Sequence, residues 1–192
     1  MTLLILGLIV FLGVHSVRIF ADGWRTRMRE RLGENAWKGL VSVLSITGFV
    51  AIVYGYGQTR LDVTMLWLPP IWTRHLAALL TIPAFILLVA AYFPGNMIKA
   101  KLHHPMVLGV KVWALAHLLS NGMLADLLLF GGFLAWSVAS FAAARRRDKA
   151  AGTVYPPGRV GPTIAVVVVG LAAWAGFALW AHAAWIGVRP FG

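Results

Sequence analysis

His117 stands in the run VKVWALAHLLSNG, where an imidazole gives up water among leucine, alanine and tryptophan. Ionisable groups inside apolar runs are the informative ones in such a chain, because burying them is costly unless they have a task. They are His15, Arg18, Lys111, His117 and Asp126, with His182 near the end of a run. Two neutral imidazoles on different helices are the usual means of holding a haem iron inside a membrane, ligating it from opposite faces. His15 and His117 are the candidate pair. The chain has no cysteine, so disulfides, thiolate catalysis and cysteine-held zinc or iron–sulfur clusters are excluded. A hydrogen bond to a helix carbonyl would also account for either histidine.

Depth tests whether the pair can meet. His15 precedes Asp22 by seven residues, which puts it about 10 Å inside that boundary at 1.5 Å per residue. His117 follows Lys111 by six residues, about 9 Å inside if Lys111 marks the same interface. On that reckoning the depths match. Counted from Pro105 instead, His117 sits nearly two turns deeper and the match loosens.

The remaining polar residues each admit a modest role beside a chemical one. Arg18 and Lys111 either snorkel toward headgroups or serve as cations for haem propionates, with Arg25 a weaker case of the same kind. In KLHHP, His103 and His104 suit a helix start at an interface; His104 could instead orient a propionate or a substrate. His75 and His182 have tryptophan neighbours and read as interface residues. Asp126 suits a helix cap, and nearby Asn121 leaves room for a small polar site. No E-x-x-H or H-E-x-x-H spacing occurs, so di-iron and zincin sites find no support. RRRDK at 145–149 reads as a solvated topology anchor, and the glycines of GYG and FGG as points of close helix contact.

The elements that carry these residues follow from the apolar pattern. Of the 192 residues 60% are hydrophobic and 12% charged, against about 25% charged in a soluble domain. Six apolar segments are marked, at Leu3–Phe20, Trp37–Tyr56, Thr73–Phe93, Pro105–Ser120, Met123–Ala144 and Pro162–Ile186. Most reach the roughly 20 residues that a helix needs to cross hydrocarbon. The expectation is one all-α polytopic membrane domain over residues 1–192, a bundle of about six helices, or five if the short fourth segment does not span. SNG at 120–122 reads as a tight turn, and Pro83 as a kink in the third segment.

The net charge of +11 is distributed between the segments, which argues for topology and against nucleic acid. Of the 17 lysines and arginines, all but Arg60, Arg74 and Arg189 fall on one side. That side is assigned to the cytoplasm of a bacterial inner membrane, with charged loops at 21–36, 94–104 and 145–161 and the N-terminus outside. The first apolar run has a signal peptide's length but no basic residues before it and no small-x-small site, so it is expected to be retained.

FLGVHSVRI, RLGENAWKGLVSVLSITGFVAIVYGYG, RHLAALLTIPAFILLVAAY and HHPMVLGVKVWALAHLLSNGMLADLLLFG together resemble the NnrU family over about residues 3–145. The most specific part is HP followed by W-x-L-A-H-L-L-x-N-G. The resemblance implies a bacterial inner-membrane protein that supports denitrification by helping to produce active nitrite and nitric oxide reductases. The denitrification enzymes or their maturation factors would be its partners, beside the bilayer. The family is related to 15-cis-zeta-carotene isomerase, a membrane enzyme containing haem b. By that relation His15 and His117 are implied as axial ligands of haem b, and His104 as a nearby residue. Three functions stay open: a haem-bearing redox or maturation factor, a haem-dependent isomerase of a carotenoid or other polyene lipid, and a cofactor-free structural or transport protein.

Overall fold

The computed structural model describes residues 1–191. Among them are eight helices in chain order: α1 Thr2–Phe20, α2 Asp22–Leu32, α3 Glu34–Thr59, α4 Trp72–Tyr92, α5 Met97–Leu102, α6 Pro105–Ser120, α7 Leu124–Ala150 and α8 Val160–Ile186. The last contains a π-turn at Phe177–Ala181. Five of them, α1, α3, α4, α7 and α8, are long and apolar enough to cross a membrane. The remaining apolar segment, the fourth, is α6 with 16 residues. Large apolar side chains such as Ile9, Ile46, Leu79 and Leu179 are exposed around the bundle, as contact with a lipid bilayer requires.

Local chemistry sets the boundaries. Gly33 takes φ of 80° between α2 and α3, a conformation that a β-carbon resists. Asn96 is 1% exposed and joins α4 to α5. Its amide donates to the Ala90 carbonyl at 3.0 Å, and its side-chain oxygen accepts from the Lys99 N–H at 2.7 Å. Pro105 opens α6, where a missing N–H costs nothing. Asp126 caps α7 by accepting the Met123 N–H at 2.9 Å. The link from α6 to α7 at Asn121–Gly122 is short and extended at Asn121, where a tight turn was expected, and the 60–71 connection pairs with it through Leu66 N–H to the Gly122 carbonyl at 2.8 Å.

Helix α1 packs against α3 and α7, α6 against α7 and α4, and α8 against α4, giving the lateral order α3–α1–α7–α6–α4–α8. The two outermost helices meet at one end, where Arg60 donates to the Ile186 carbonyl at 2.5 Å. The tightest approach is between α1 and α3. A β-carbon on Gly7 would lie 2.6 Å from the Ile52 nitrogen, and one on Gly48 would lie 2.8 Å from the Phe11 nitrogen. Gly55 of GYG meets the Leu4 backbone in the same interface, whereas Gly57 faces open space.

The three segments expected as charged loops all contain helix. Residues 21–36 form α2 and the first turn of α3, 94–104 contain α5, and α7 continues through RRRDK to Ala150. Short polar stretches between spans still satisfy their backbone groups most economically as helix. The fourth apolar segment forms α6 with the expected bounds, so Lys111 lies within the helix.

Candidate functional site

His15 and His117 are held alike. The Nδ1 of His15 lies 2.7 Å from the Phe11 carbonyl, and that of His117 lies 2.9 Å from the Trp113 carbonyl, each four residues earlier on its own helix. A carbonyl only accepts, so Nδ1 carries the proton in both rings. In the neutral imidazole that leaves the Nε2 lone pair free, which is the tautomer a metal ligand uses.

Aromatic rings connect the two. His15 stacks on Phe11 with centroids 4.3 Å apart, and Phe11 reaches Phe133 of α7 at 5.7 Å. Phe133 meets Trp113 of α6 at 5.6 Å, and Trp113 meets His117 at 5.0 Å. His117 is also stacked on Phe130 at 4.6 Å. The histidines thus line one aromatic column, but at different levels. His15 sits beside Trp136 and His117 beside Phe130. Those two residues of α7 are about 9 Å apart along the axis at 1.5 Å per residue. The two rings thus meet α7 at residues offset along its axis.

A family model described as NnrU protein matches residues 3–190. The chain belongs to the NnrU family. The match extends past residue 145 and takes in α8 and the connection before it. No curated protein and no solved structure matches the chain. Membership fits a denitrification-associated membrane protein.

The other expected site residues are dispersed in this NnrU-family bundle. Arg18 lines a cleft between α1, α2 and α3, and its carbonyl accepts from Arg147 at 3.2 Å. Lys111 lies on α6, with α7 between the two helices. Among the described residues neither side chain has an acidic partner. His104 is bound elsewhere: its Nε2 lies 2.7 Å from the Asp148 carboxylate.

Two polar clusters escaped the sequence reading. Asp148, the acid within RRRDK, accepts from the Tyr155 hydroxyl at 2.9 Å as well as pairing with His104. His103 stacks flat on Tyr155 at 3.9 Å, and its ring nitrogen meets Arg145. Burial pushes the Tyr155 phenol above its ordinary pKa, and its hydrogen bond to Asp148 adds to the shift. The second cluster is at the opposite end. Asp126, 1% exposed, accepts from the Tyr56 hydroxyl at 2.6 Å in addition to capping α7. Asp126 was expected as a cap; Tyr56, seventy residues away, carried no local signal of the contact.

Haem b, which the resemblance implies, can be tested against this arrangement. The donor chemistry fits, since each imidazole offers a free Nε2 among aromatic walls. His15 and His117 are the residues that would hold the group, and the aromatic rings between them would form its walls.

Proposed function

We propose that this NnrU-family protein is a bacterial inner-membrane factor supporting the production of active nitrite and nitric oxide reductases, with its basic end in the cytoplasm. The strong bias of lysine and arginine to one end supports that orientation. We further propose haem b as its cofactor, which His15 and His117 would hold. The observation that carries this reading is the shared setting of the two imidazoles, each with Nδ1–H bonded to its own helix and Nε2 unengaged. Haem, when bound, supplies one-electron chemistry; the chain's part is to orient the imidazole and exclude water with Phe11, Phe130, Phe133 and Trp113. Lys111, inside α6 and without an acidic partner, is the proposed cation for a propionate.

The test is the oxidised and reduced absorption spectrum of protein purified with haem supplied, for the wild type, His15→Ala and His117→Ala. A Soret band in the wild type, with its ligand-dependent features altered in both variants, is expected. No Soret band in the wild type would refute the cofactor. A spectrum unchanged in both variants would refute the two histidines as its ligands. Nitrite reduction by a deletion strain carrying each variant tests the physiological role, and full restoration by both variants would refute it.

A further inference from the structure

Helix α2 creates a feature that the histidine site does not use. It lies between the basic ends of α1 and α3, with Trp24 edge-on to the buried Trp37 at 5.9 Å. Under it is a cleft of about 520 Å³. Arg18 of α1, Arg25 and Arg29 of α2, and Lys38 of α3 converge on it. Its deeper wall is apolar, made by Val14, Val17 and Val41.

The charges are not balanced. Glu34 is shared by Lys38 at 2.7 Å and Arg29 at 3.8 Å, and Asp22 reaches Arg25 at 3.6 Å. Arg18 has no acid among the described residues, and Arg147 approaches from α7 to bond its carbonyl. The Arg25 guanidinium is held below its ordinary pKa by burial first, then by Arg18 and Arg29. Cations crowded together at a partly buried site gain from a shared anion.

Two features say which anion. The cleft lies where two membrane spans end, at the level of lipid headgroups, and its apolar wall belongs to those spans. The faces of α2 also differ: Arg25 and Arg29 are half-buried in the cleft, whereas Arg27 and Arg31 are exposed. We propose that the α1–α2–α3 cleft binds the phosphate of an anionic phospholipid, with its acyl chains against Val14, Val17 and Val41. Basic pockets between membrane helices recognise such headgroups by the same chemistry. The site is independent of any haem.

The test is thermal unfolding of the full chain in zwitterionic detergent, titrated with phosphatidylglycerol, phosphatidylcholine or inorganic phosphate. Phosphatidylglycerol is expected to raise the melting temperature saturably, and the other two are not. Arg25→Gln with Arg29→Gln should weaken the apparent affinity roughly tenfold, since charge-assisted bonds to phosphate are lost. Arg27→Gln with Arg31→Gln removes the same charge from the other face and should change it less than about twofold. Glu34→Gln frees two cations and should tighten binding by roughly threefold, and this arm decides the matter if the arginine variants do not fold. Equal loss in the two arginine pairs would overturn the proposal in favour of diffuse surface charge. An equal shift with inorganic phosphate would overturn the lipid assignment, and an unchanged affinity in Glu34→Gln would overturn the site.

Discussion

Replacing Gly48 by alanine should destabilise the bundle, although alanine is the better helix former. The added methyl carbon would stand 2.8 Å from the backbone nitrogen of Phe11 and 3.0 Å from its β-carbon. Restoring ordinary contact requires α1 and α3 to part by about 0.6 Å, and a gap of that size forfeits a quarter or more of each neighbouring dispersion contact. Phe11 cannot simply retreat, because it is packed against His15, Phe49 and Phe133. Overpacking of this kind costs roughly 1–3 kcal/mol, and the helix propensity gained offsets about 1 kcal/mol. A net loss of up to about 2 kcal/mol should lower the melting temperature by up to about 8 °C for a chain of this size, and by more relative to glycines where propensity alone acts. Gly57→Ala and Gly39→Ala are the controls. Both glycines lie on the same helix and have nothing within 4 Å of an added β-carbon, so propensity alone acts and stability should hold or rise. The assay is thermal unfolding in one detergent for all three variants. If Gly48→Ala melts no lower than Gly57→Ala, the close approach of α1 and α3 is not where the structure puts it.

Two further outcomes follow from the polar clusters. Tyr56→Phe removes the hydroxyl that donates to Asp126 and leaves a nearly inaccessible carboxylate oxygen with one partner fewer. The expected loss is about 1.5–3 kcal/mol, and combining it with Asp126→Asn should cost less than the sum, measured as a double-mutant cycle. Tyr155 gives a pH dependence. Its phenol holds its proton more tightly in the folded state, so its contribution is fully present below about pH 10 and is lost as pH rises beyond it. Melting temperatures followed from about pH 8 to pH 11 should fall more steeply for the wild type than for Tyr155→Phe; parallel curves would remove Tyr155 from the account.

The fold was legible because the bilayer imposes a simple rule on composition. Long apolar runs bounded by arginine and lysine can only be helices, and their lengths gave five spans and a short sixth helix close to where they lie. Asp126 as a cap was readable too, since it depends on a neighbour three residues away. Which polar residue faces which was not. The sequence offered both Lys111 and Pro105 as the depth marker of the fourth segment, and the helix carries the lysine within it. The aromatic column that joins His15 to His117 through Phe133 and Trp113 had no local signal. Asp148 looked like a solvated member of a charge run until α7 continued through it and brought it to His104 and Tyr155. Sequence alone determined the membrane class and the long apolar helices, because hydropathy and spacing are local properties. Their meeting points were decided by helix packing, since contacts between residues tens of positions apart depend on where every intervening helix begins.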